Sequence, residues 1–88
     1  MSIPENLDDE KIAEAALAIL SLSRMVQPYG VTAWKGIDWG VMNLLHEKGW
    51  ISDPIGKQKS VGITEEGLKK ADQFLEKYFA SDANQSAL

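Results

Sequence analysis

Residues 38–67 read DWGVMNLLHEKGWISDPIGKQKSVGITEEG, and their punctuation decides the fold. Asp38 is a residue type that caps a helix by accepting its first free amide N–H groups. After it, Trp39, Met42 and Leu45 recur at helical spacing with Val41 and Leu44 beside them. Gly49 suits the left-handed residue just past a helix end, so a helix is predicted over Trp39–Lys48. Trp50 and Ile51 begin an extended run that Asp53-Pro54 and Gly56 interrupt, and Ser60-Val61-Gly62-Ile63 returns as a strand, giving a two-stranded hairpin. Thr64 is an N-cap for the last helix, with Glu65 and Glu66 in the first turn where the helix dipole favours acids. Leu68, Ala71, Phe74, Leu75, Tyr78 and Phe79 form its apolar stripe, while Lys69, Lys70, Gln73, Glu76 and Lys77 face away.

Towards the N-terminus, a periodic segment over residues 8–26 predicts the first helix. Asp8 or Asn6 serves as cap, and Asp9 and Glu10 complement the dipole. Ile12, Ala15, Ala16, Ile19, Leu20, Leu22 and Val26 fall on one face, and Ala18 and Met25 widen it. The apolar arc is roughly twice the 100° that a surface helix needs. Pro28, Tyr29 and Gly30 end the helix, Val31–Trp34 leaves room for a short third strand, and Lys35-Gly36 makes a turn. One core is expected to gather Ile19, Trp39, Met42, Leu45, Leu68 and Leu75, each central in its helix's apolar arc.

Together these elements predict an α+β fold of three main helices and a two-stranded β-hairpin. At 88 residues, the chain is one domain over residues 1–80, followed by a small, polar, flexible tail over 81–88. Nine Lys and Arg against 13 Asp and Glu leave a net charge of -4. With no cysteine, there is no disulfide framework, thiolate metal site or thiol nucleophile. The acidic start does not resemble a signal peptide and no apolar run is long enough for a membrane span, so a cytoplasmic protein is expected.

The segment 44–51 (LLHEKGWI), the basic hairpin tip and Ile63-Thr64-Glu65-Glu66-Gly67 distantly resemble the recognition helix, wing and final helix of bacterial winged-helix regulators. More closely, AWKGIDW at 33–39, LHEKG at 45–49, ISDP at 51–54, Gly56-Lys57 and Lys59-Ser60-Val61 resemble a small bacterial family of uncharacterised proteins, over roughly residues 8 to 79. That resemblance implies a winged-helix-like architecture and no established activity or catalytic residue. The chain also departs from the regulators. A helix-turn-helix needs a complete helix before the recognition helix, and only seven residues separate Gly30 from Asp38.

DNA binding would use Asn43 on the second helix with Lys57 and Lys59 at the wing. Its electrostatics are weak: residues 35–70 carry six bases and five acids, for +1, against -3 over residues 1–34 and -2 over 71–88. The stripe Gly40, Asn43 and Glu47 holds no base, whereas specific binders make roughly six to ten phosphate contacts and aim Arg or Asn at base edges. His46 is the sole histidine, too few for a zinc site of three or four ligands. There is no phosphate-binding glycine loop and no nucleophile elbow. No catalytic, cofactor or metal residues are therefore assigned, and no enzyme is expected. What remains is association: the wide apolar face of the first helix predicts a homodimer with Leu17, Ala18, Leu22 and Met25 at its seam. A small-ligand sensor with Tyr29 and Trp34 lining a pocket at that seam is a third possibility.

Overall fold

The computed structural model describes residues 6–34, 36–54 and 59–81. The order is α1 (Asp9–Ser21), β1 (Met25–Gln27), β2 (Gly30–Trp34), α2 (Trp39–Glu47), β3 (Ser60–Ile63) and α3 (Glu65–Phe79). Three helices and a three-stranded antiparallel sheet make the expected α+β fold, compatible with a winged-helix-like arrangement. The hairpin tip with Lys57, and the tail from residue 82, lie outside the described residues.

Each helix starts where its cap dictates. Asp8 accepts from the N–H groups of Glu10 and Lys11 at 2.9 and 3.2 Å, Asp38 from those of Gly40 and Val41, and Thr64 from that of Gly67. Helix α1 stops well short of residue 26. The hydroxyls of Ser21 and Ser23 donate to the carbonyls of Ala18 and Leu20. Backbone bonds Leu22→Ile19, Ser23→Leu20 and Arg24→Ser21 tighten the last turn into three-residue spacing. Met25–Gln27 then leaves the helix as a strand, pairing with β2 through Met25–Thr32, Val26–Val31 and Gln27–Gly30 around the Pro28-Tyr29 turn.

Strand β3 pairs chiefly with β2, through Val31–Ile63, Thr32–Gly62, Ala33–Val61 and Trp34–Ser60. The expected pairing of 50–51 with 60–63 survives as a single bridge, Ile51–Ile63. Ser52 extends it: its N–H donates to the Gly62 carbonyl and its hydroxyl accepts from the Gly62 N–H, both at 2.9 Å.

The core joins Ala13, Leu17, Ala18 and Leu20 of α1, Met42 and Leu45 of α2, Trp50 and Ile51, Val61 and Ile63 of β3, and Ala71 and Phe74 of α3. The rings of Trp50 and Phe74 lie 5.4 Å apart in a tilted pair. Leu68 and Leu75 pack against this cluster half-buried. Two expected core members do not belong to it: Ile19 is 52 % and Trp39 49 % exposed. Leu17 fixes the phase of α1, and Ile19 lies about 200° around the helix from it. Trp39 sits in the first turn of α2, whose buried positions are Val41, Met42 and Leu45.

Thr64 joins the ends of two helices. Its hydroxyl donates to the Gly49 carbonyl at 2.7 Å and accepts from the Gly67 N–H at 2.9 Å, and its own N–H donates to the Trp50 carbonyl at 3.0 Å. Gly49 makes the turn into this junction at φ +80°. A Cβ on Gly67 would stand 2.1 Å from the Trp50 carbonyl oxygen. Gly67→Ala should therefore destabilise the domain by about 3 kcal/mol or more, the upper range for overpacking, because the obstructing atom is backbone. Leu17→Ala should cost about 2–5 kcal/mol, whereas Ile19→Ala, compared at concentrations where both chains are monomeric, should stay within about 0.5 kcal/mol of wild type. Urea midpoints of the three variants check both the packing and the helix phase.

Candidate functional site

Two surfaces gather the residues that the sequence singles out. The first comprises the exposed side of α2 and, as a separate place in the fold, the sheet end at Lys59 and Trp34. On α2, Asn43 and Gly40 are half-buried, and Glu47 and His46 are exposed. Lys48, at the end of the helix, gives its ammonium to Glu10 of α1 and covers the Trp50 ring at 5.4 Å. Lys59 is exposed and its ammonium lies 5.9 Å from the centre of the Trp34 ring. The cationic character of this surface is thus reduced by an internal ion pair. Among the described residues, no three His, Cys, Asp or Glu side chains converge as a metal site.

The second surface runs from the end of α1 into β1. Ile19, Leu22, Met25, Val26 and Tyr29 are all exposed, Leu22 at 70 % and Val26 at 84 %. Of the four residues expected at a seam, Leu22 and Met25 lie here. Leu17 and Ala18 instead have no exposed area, because they face α1's own core, and they cannot line any seam. Ile19 was expected in the core and Val26 on the face of one unbroken helix over residues 8–26, whereas Tyr29 was expected at a pocket beside the seam. The sequence carries little signal for this hairpin, since Met25-Val26-Gln27 has one β-branched residue and Pro28-Tyr29 is not one of the usual two-residue hairpin loops. Trp34, exposed like Tyr29, lies on a different strand position of the sheet, and only Trp50 of the three tryptophans is buried.

Polar contacts at the rim hold α1 in place. Glu14 accepts from the Lys77 ammonium at 2.8 Å and from the Tyr78 hydroxyl at 2.7 Å, and Arg24 reaches Asp72 at 3.4 Å. The hydrogen bond from Lys77, followed by that from Tyr78, holds the Glu14 carboxyl below its ordinary pKa. The same carboxylate raises the pKa of Lys77 and that of Tyr78. No helix among the described residues is long and apolar enough to cross a membrane.

The fold defines a small α+β domain with an apolar edge and a modestly charged helix face. The chain belongs to a family described as a domain of unknown function, DUF6429, matched over residues 8–81. It is similar to "Uncharacterized protein y4hR" of Sinorhizobium fredii (strain NBRC 101917 / NGR234), 40% identical over 73 residues, which cover 83% of this chain and 95% of that protein. This agrees with the resemblance to an uncharacterised bacterial family. No solved structure matches the chain.

A depressed Glu14 pKa means that the folded state holds this carboxylate ionised more strongly than the unfolded chain does. Its contribution is present above the unfolded carboxyl pKa and is lost as pH falls through the lower folded value. Raised pKa values at Lys77 and Tyr78 act oppositely: their contribution is full below their unfolded values and is lost as pH rises through the folded ones. Glu14→Gln should therefore be less stable than wild type near neutrality, with the difference shrinking in strong acid and again in strong base. Urea midpoints measured across pH test this.

Proposed function

We propose that this chain is a non-enzymatic, cytoplasmic bacterial domain that acts by associating with a second copy of itself. The observation that carries this reading is the run of exposed apolar residues Ile19, Leu22, Met25 and Val26 along the chain where α1 gives way to β1. Burying Leu22 and Val26 alone would contribute roughly 1.5–3 kcal/mol each. A symmetric pair, in which each copy presents the same patch, is the commonest arrangement of soluble homo-oligomers.

Nucleic-acid binding has less in its favour. Lys59 offers an exposed ammonium beside an exposed Trp34 ring, but Lys48 is paired with Glu10 and Asn43 is half-buried. A ligand site between Tyr29 and Trp34 would need the second copy to close it, and so depends on the same association.

Sedimentation equilibrium at micromolar concentration should give twice the 9.7 kDa chain mass. Leu22→Glu should shift the protein towards monomer with its helix content kept, since Leu22 lies outside the core. Duplex DNA titrated at near-physiological salt should show no affinity approaching the roughly 10⁻⁸ M of specific regulators. Tight binding that survives competitor DNA would reverse the ranking of these readings.

A further inference from the structure

The sheet ends at β1, and the direction of its backbone groups follows from bonds two strands away. Both peptide groups of Gly62 bond to Ser52 and so point away from β2. Along an antiparallel strand, successive residues alternate the direction of their N–H and C=O groups. Val61 and Ile63 therefore bond towards β2, their partners Ala33 and Val31 bond towards β3, and Thr32 turns to Met25 of β1. Alternation then leaves the N–H and C=O of Val26 pointing out of the sheet, and no group among the described residues takes them up. Among the described residues its side chain is the most exposed of the large apolar ones.

Open edges are ordinarily shielded by charge, proline, a bulge or a covering segment. Met25-Val26-Gln27 carries no charge and no proline, and Arg24 before it turns back to Asp72. The opposite edge of the sheet is different, since Ile51 and Ser52 lie along β3.

We propose that β1 pairs antiparallel with β1 of a second copy across a two-fold axis at Val26, joining two three-stranded sheets into one sheet of six. This rests on the self-association proposed above and names its seam. Three observations favour a second copy as the occupant. With the axis at Val26, the two valines exchange both of their outward bonds, and Met25 of each copy faces Gln27 of the other. Residues 19–29 hold one charge, Arg24, in a chain of net charge -4, so two acidic molecules do not repel each other there. The same axis sets Arg24 against Pro28 of the second copy rather than against its own counterpart, avoiding a like-charge pair. The edge itself supplies only two bonds, and Leu22 and Val26 supply the apolar area. Because each β3 is flanked by residues 51–52, the assembly closes at two copies instead of growing.

The chain has no cysteine, so single thiols can map the axis. Val26→Cys should oxidise readily to a disulfide-linked dimer, because facing residues of a bonded pair have Cα atoms about 5.5 Å apart, inside the disulfide span. Gln27→Cys places its two thiols further apart along the ladder and should link at least about tenfold more slowly. Chemical synthesis with N-methylated Val26 removes the outward donor while retaining the side chain, and should raise the dimer dissociation constant about tenfold or more. Sedimentation and circular dichroism follow assembly and folding together. A wild-type chain that stays monomeric at micromolar concentration overturns both the self-association and this seam. A wild-type dimer that Leu22→Glu dissociates, but that N-methylation leaves intact and Val26→Cys does not link, keeps the self-association and overturns the edge pairing.

Discussion

The hydroxyl and N–H of Thr64 make three hydrogen bonds at the point where α2 ends and α3 begins, and the rest of the domain takes its geometry from them. Its hydroxyl caps α3 and holds the Gly49 carbonyl, while its N–H holds the Trp50 carbonyl. The approach is close enough that only a hydrogen fits on the Gly67 Cα. With Trp50 fixed, its ring rests on Phe74 of α3, and Ile51 and Ser52 lie beside Ile63 and Gly62. That pins β3, and β3 in turn sets the register of β2 and β1. The unpaired direction of Val26 is thus the last consequence of a cap four elements away.

Helix α1 supplies the complementary layer. Its buried face is built from Ala13, Leu17, Ala18 and Leu20, and two of these are alanines, which permit close approach to α3. The contacts of Glu14 with Lys77 and Tyr78 then hold the two helices from the rim. The molecule is 19 Å in its thinnest dimension, room for two layers about 10 Å apart and no more. A two-layer domain of this size can cover only one side of an all-round apolar helix, so Ile19 and Leu22 stay in solvent.

These constraints bear on function through what they leave over. The ammonium of Lys48 is used in holding α1 to α2, which takes positive charge away from the face that a nucleic acid would need. The apolar residues left exposed instead collect where α1 hands the chain to an edge strand with open backbone groups. Such a surface combines burial with directional hydrogen bonds, the two ingredients of strand-mediated association.

The sequence by itself determined the local events. Asp8, Asp38 and Thr64 start helices because each cap is a contact over two or three residues, and Gly49 ends one because its positive φ suits glycine. The stripe of α3 was legible because Phe74 and Ala71 alternate with charged residues that have no place in a core. Residues 8–26 were not legible in the same way. A segment apolar on nearly every side has no phase of its own, so only packing against α3 could decide that Leu17 turns inward and Ile19 outward. The break at Ser21–Ser23 and the strand at Met25–Gln27 depend equally on the tertiary structure, because a three-residue strand has too few local interactions to persist without β2 beside it. The four residues expected at a seam divide in the same way: Leu22 and Met25 are exposed while Leu17 and Ala18 are buried, since an apolar residue is equally suited to a core and to an outer face until its neighbours are known.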